Sequence, residues 1–134
     1  LILKFRATEQ EESMAKIKIQ FLEKPSCTTC RKAKSFLLEL GADLERRDLD
    51  KDSLSEAELD RLIGARDYKQ FLNPRNELFR AKNLGEKPPS RAEAIKLMSH
   101  TPNLIKRPVV IRGEQIVLGF DEAAYRKLLS GSVS

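Results

Sequence analysis

The chain holds two cysteines, three residues apart in Pro25-Ser26-Cys27-Thr28-Thr29-Cys30-Arg31-Lys32. An alternating apolar run, Ile17-Lys18-Ile19-Gln20-Phe21-Leu22, precedes them, and a helical pattern follows. The thiolate is the reactive form of cysteine, and a helix N-terminus stabilises it through free N–H groups and the macrodipole. Cys27 falls at such an end, and Arg31 and Lys32 add positive charge nearby. Cys30 lies one turn on, on the same face, within reach of a disulfide with Cys27. The spacing predicts Cys27 as nucleophile and Cys30 as resolving thiol.

Two other readings stand beside this one. A Cys-x-x-Cys pair can be half of a zinc site, but structural zinc takes four ligands and only His100 is left as a strong further candidate. No metal is therefore expected, and His100 reads as a solvated residue near a helix end. Alternatively, both cysteines pack as small hydrophobes. Arg107-Pro108 is the second informative place. A proline opening a strand need not donate to the ladder, and on that reading Arg107 is simply solvated. The functional reading sets Arg107 beside the thiolate, where a guanidinium can grip an oxyanion through two parallel hydrogen bonds.

The surrounding elements follow from periodicity. Lys16 to Leu22 reads as a strand, Cys27 to Leu40 as a helix stopped by Gly41, and Ala42 to Leu49 as a weaker, charged strand. Together they make a parallel β-α-β unit. Ser55-Glu56-Ala57-Glu58 and Ser90-Arg91-Ala92-Glu93 match capping boxes that open two helices. A short helix at 67–72 and a further one over Arg75 to Leu84 are predicted between them. Val109 to Ile111 and Gln115 to Leu118 flank Gly113 as a hairpin, and Asp121 caps a last helix with Ala124, Tyr125, Leu128 and Leu129 facing the core. The expectation is an α/β protein: a thioredoxin-like fold with a mixed four-stranded sheet and a helical insert between β-α-β and β-β-α halves.

A chain of 134 residues is long enough for one domain with a real core. Residues 16–130 are assigned to that domain, with the insert at about 53–100. Residues 1–15 are read as an arm, an expression remnant or poorly ordered, with Met14 a candidate natural start; 131–134 form a tail. Leu1 to Phe5 makes a poor signal peptide, and no apolar run approaches the roughly 20 residues that span a bilayer. A cytoplasmic location and no membrane partner are expected. The net charge of +5 comes from 25 basic residues interleaved with 20 acidic ones. That pattern reads as a solvated surface, and direct nucleic-acid binding is not expected.

Four segments together resemble the arsenate reductase-related (ArsC/Spx) family of thioredoxin-fold proteins. They are the cysteine segment, Asn73-Pro74-Arg75 to Leu84, Asn103-Leu104-Ile105-Lys106-Arg107-Pro108-Val109-Val110, and Leu118-Gly119-Phe120-Asp121-Glu122. The resemblance covers roughly residues 16 to 129 and implies a cis peptide before Pro108, next to the redox site. In the glutaredoxin-linked arsenate reductases a cysteine attacks arsenate, arginines bind the oxyanion, and glutathione and glutaredoxin reduce the adduct. Cys27 matches that cysteine; Arg75 and Arg107 match two of the arginines. Three positions depart. Gly119 stands where a third arginine falls, Glu23 where those enzymes have a histidine, and Cys30 is a second cysteine found in the Spx branch. An Spx-like protein is a transcription regulator that binds RNA polymerase and uses the pair as a redox switch without turnover. The resemblance thus implies a thiol-disulfide oxidoreductase with no bound cofactor and glutathione or glutaredoxin as reductant, with the Spx-like regulator as the alternative.

Overall fold

β1 (Ile17–Glu23) sends Ile19 and Phe21 to one face of the sheet and Leu22 to the other, as a period of two requires. The chain then turns through Pro25 into α1 (Thr28–Glu39), which buries Cys30, Ala33 and Leu37 against the first face. Gly41 ends that helix at φ +90°, a conformation that favours glycine because it has no Cβ. β2 (Ala42–Asp48) follows and pairs parallel with β1, Ile17 opposite Ala42 and Glu23 opposite Asp48. This computed structural model describes residues 17–130. The arm assigned to 1–15 and the tail at 131–134 lie outside the described residues.

The middle of the chain is helical: α2 (Glu56–Ile63), a 3-10 turn (Tyr68–Phe71), α3 (Glu77–Ala81) and α4 (Arg91–His100). The capping box on α2 closes in both directions, the Glu58 amide donating to Ser55 Oγ at 3.1 Å and the Ser55 amide to Glu58 Oε1 at 3.0 Å. On α4 only the first half forms, from the Glu93 amide to Ser90 Oγ at 3.2 Å. The helix expected over 75–84 shrinks to α3. Asn73 Oδ1 accepts the Arg75 amide at 3.1 Å and Asn76 Oδ1 the Leu78 amide at 2.9 Å, so side-chain turns occupy the intended first turn. At the other end Asn83 takes φ +53° and stops the helix early.

β3 (Val109–Arg112) and β4 (Gln115–Leu118) form the hairpin, and α5 (Glu122–Ser130) closes the chain. Asp121 caps α5, accepting the Ala124 amide at 3.0 Å. The four-stranded sheet runs β2-β1-β3-β4, with β1 antiparallel to β3. Its two faces carry separate cores. Ile19, Phe21 and Val110 pack with α1 and α5 through Ala33, Leu37, Tyr125 and Leu128. Leu22, Val109 and Ile111 pack with the helical middle through Leu59, Ile63, Phe71, Ala94 and Met98. The insert is therefore the second layer that this sheet requires, since its other face would meet water bare. The order of elements and the sheet are those of a thioredoxin-like fold.

Candidate functional site: a cysteine cleft between three loops

Cys27 is the N-cap of α1, in extended conformation with φ −79° and ψ 128°. Its amide donates to the Lys24 carbonyl at 2.9 Å, which fixes the turn from β1, and no acidic residue stands in the first turn of the helix. The sulfur makes no capping hydrogen bond of ordinary geometry, yet the helix amides act on its charge. Burial opposes ionisation of the Cys27 thiol. The Cys30 amide, the Cys30 thiol, the Thr29 amide and the charge of Arg107 outweigh it, so the pKa lies below the ordinary 9.0. Cys30 is fully buried. Burial and then the neighbouring Cys27 charge push its pKa up to about 12. The two thiols thus act on each other, Cys27 poised to ionise and Cys30 held as a donor.

The structure selects among the three cations that the sequence offered to this thiol. Arg31 and Lys32 are exposed on α1, whereas the cation acting on Cys27 is Arg107, from the loop before β3. Arg107 joins Pro108 through a cis peptide bond. Its Nη1 donates to Asn103 Oδ1 at 2.5 Å, while its Nε is buried without a hydrogen-bond partner among the described residues.

Arg75 comes from a third direction. Leu72 and Ile105 form a single antiparallel bridge, with the Asn73 amide donating to the Leu104 carbonyl at 2.7 Å and the Lys106 amide to the Phe71 carbonyl at 2.8 Å. That bridge lays the 73–75 turn alongside 106–107. The result is an open cleft of about 510 Å³, lined by Cys27, Thr29, Asn73, Pro74, Arg75, Lys106, Arg107, Gly119 and Phe120. Cys27, Arg75 and Arg107, singled out in sequence, share it. Cys30 and Pro108 are buried and do not line it.

Gly119, in the place of a third arginine, holds φ +80°. Its amide donates to the Pro108 carbonyl at 2.9 Å, and its carbonyl accepts the buried Tyr125 hydroxyl at 2.5 Å. A side chain there would meet only Lys106 Cε, at 4.0 Å, so backbone conformation rather than space favours glycine. Burial and then the charges of Cys30 and Asp121 raise the Tyr125 pKa, which keeps the phenol protonated as that donor. Glu23, in the place of a histidine, is not in the cleft. It is buried, only 2% exposed, and takes a salt bridge from Arg46 Nε at 2.5 Å. His100 is exposed at the end of α4, and among the described residues no three His, Cys, Asp or Glu side chains gather.

Sequence reasoning missed Lys24, Asn73, Lys106, Tyr125 and Asn103. Asn103 stood inside a quoted segment, four residues before Arg107, but a lone asparagine announces no role until its partners are known.

Several known proteins resemble this chain. The global transcriptional regulator Spx 2 of Lactococcus lactis subsp. lactis is 28% identical over 111 residues, covering 81% of this chain and 84% of that protein. The Bacillus subtilis protein YusI is 35% identical over 107 residues, covering 77% and 91%. The crystal structure of a possible arsenate reductase from Streptococcus mutans UA159 superposes with a TM-score of 0.66 at 31% identity, covering 76% and 90%. The ArsC family profile matches residues 22–128, from the end of β1 into α5. With the match covering most of the chain and all the residues that line the cleft, the chain belongs to the ArsC family.

Proposed function

We propose that this protein is a thiol-disulfide oxidoreductase of the arsenate reductase kind. The observation that carries the reading is an acidified Cys27 in a cleft that Arg75 and Arg107 also line. Two guanidiniums beside one thiolate suit an oxyanion or a carboxylate.

The thiolate of Cys27 attacks arsenic(V) in arsenate, and a hydroxide leaves as water after protonation. A second thiolate then attacks the Cys27 sulfur. The sulfur–arsenic bond breaks, its electron pair stays on arsenic as arsenic(III), and two thiols have become one disulfide. In this reading Cys30 supplies that second thiolate. The negative charge on Cys27 is one cause of the high Cys30 pKa, so forming the adduct removes it and eases Cys30 ionisation only at the step that needs it. Glutathione or glutaredoxin then returns the disulfide to two thiols.

The test is turnover of arsenate, or of a glutathione mixed disulfide, with glutathione and glutaredoxin present. Activity in the wild type that disappears in Cys27→Ser supports the reading; inactivity of the wild type, or undiminished activity in Cys27→Ser, contradicts it.

A second reading is favoured by Cys30 and Gly119. The pair acts as a redox switch on a regulator that binds RNA polymerase, as the name of the Lactococcus relative describes for that protein's regulatory role. Retention of RNA polymerase by the protein in only one of the reduced and oxidised states supports this alternative. Absence of retention in both states removes it.

A further inference from the structure

Three loops frame the cleft, and one residue touches all of them. Asn103, partly buried in the 3-10 turn Pro102–Leu104, accepts Arg107 Nη1 at 2.5 Å and Lys24 Nζ at 3.2 Å, both on Oδ1. Lys24 belongs to the turn that carries Cys27, whose amide it accepts at 2.9 Å. The Asn103 backbone carbonyl accepts Asn73 Nδ2 at 3.4 Å, and Asn73 Oδ1 in turn accepts the Arg75 amide at 3.1 Å. Arginine and lysine have donors and no acceptor, so the amide orientation of Asn103 is fixed by its partners and both Oδ1 lone pairs are used.

We propose that Asn103 is a positioning residue that holds the Arg107 guanidinium on the wall of the Cys27 cleft and locks it to the loop bearing the thiol. The proposal rests on Cys27 being the reactive thiol of the site. A neutral acceptor suits this task. A carboxylate at position 103 would hold the guanidinium equally well but cancel its charge, which the thiolate and an incoming anion both need. Asn103 Oδ1 restrains Arg107 through Nη1 and leaves its full positive charge to act on the cleft.

The experiment is a double-mutant cycle read by alkylation of Cys27 with iodoacetamide, a neutral reagent, at pH 6.5 and with peptide mapping. Arg107→Met is measured in wild type, Asn103→Ala and Asn103→Asp backgrounds, with circular dichroism to confirm folding. In wild type, Arg107→Met slows alkylation about threefold, the fall in thiolate fraction being partly offset by greater intrinsic nucleophilicity. In Asn103→Ala, alkylation is already slow and Arg107→Met adds less than about 1.5-fold. In Asn103→Asp, Arg107 is still held and Arg107→Met again slows alkylation at least about threefold. The same factor in the Asn103→Ala background as in wild type overturns the proposal. A wild-type Cys27 no faster than a free thiol overturns it together with the proposed function, whereas a fast Cys27 untouched by Asn103→Ala overturns it alone. One measurement needs no variant: nitrogen-15 NMR of the arginine side chains should show slowed guanidinium rotation for Arg107, and rotation as free as in exposed Arg75 overturns the anchor.

Discussion

Cys27 shows how little of a reactive residue is visible in its own segment. The helix start and the thiol spacing were readable in Pro25 to Lys32, because caps and i,i+3 relations are local. The cation that tunes the thiol was legible only as one candidate among three, since Arg107 reaches it across the fold from 80 residues downstream while Arg31 and Lys32, close in sequence, face solvent. The two thiols should separate cleanly by pH. Alkylation of Cys27 is expected to reach half its maximum below pH 9.0, and Cys30, near 12, to remain unmodified at neutral pH. Thiol titration with peptide mapping checks this; equal labelling of both at pH 7 contradicts it. Replacing Arg107 by alanine removes a charge-assisted contact worth about 1.5–3 kcal/mol, so anion affinity should fall about 10- to 100-fold. Competition by phosphate or arsenate against alkylation of Cys27 measures that loss.

Among the elements, capping chemistry was the most legible and helix length the least. Ser55 and Glu58 gave the start of α2, and the structure adds a tertiary partner: Arg47 of β2 donates Nη1 to Glu58 Oε2 at 2.7 Å. The Arg47 hydrogen bond, then the Ser55 amide, hold the Glu58 pKa down at about 2. A carboxylate with a depressed folded pKa contributes stability above its unfolded value, about 4.3, and that contribution is lost as pH falls through about 2. Glu58→Gln keeps a capping side chain while removing the charge. It should lower stability at pH 7 by at most about 1 kcal/mol, because the pair is partly exposed and screened. Thermal melts of both proteins should converge as pH approaches 2. By contrast, α3 is shorter than its pattern predicts, because Asn73 and Asn76 can serve a helix or compete with it and only the tertiary bridge at Leu72 and Ile105 decides.

At the scale of the whole molecule, the β-α-β and β-β-α halves were legible from strand alternation and turn residues. That the helical middle seals the second face of the sheet was not, because Leu59, Ile63 and Phe71 read as amphipathic helix whatever they pack on. Phe71 is fully buried in that layer, and its carbonyl holds the Lys106 amide beside the cleft. Phe71→Ala should cost about 3–5 kcal/mol of stability, measured by denaturant unfolding. Since the same layer supports the 73–75 turn and the 106–107 loop, the variant should also weaken anion protection of Cys27. Among the described residues no helix is long and apolar enough to cross a membrane. The 73–75 turn, the 106–107 loop and the turn that carries Cys27 converge on one thiol. Mass spectrometry of the protein after arsenate plus glutathione tests that convergence most directly. The account predicts arsenic or glutathione bonded to Cys27, or a Cys27–Cys30 disulfide that appears only with arsenate present and never in Cys27→Ser. Arsenate that leaves both thiols unchanged, or an adduct formed on Cys30 with Cys27 untouched, would contradict it.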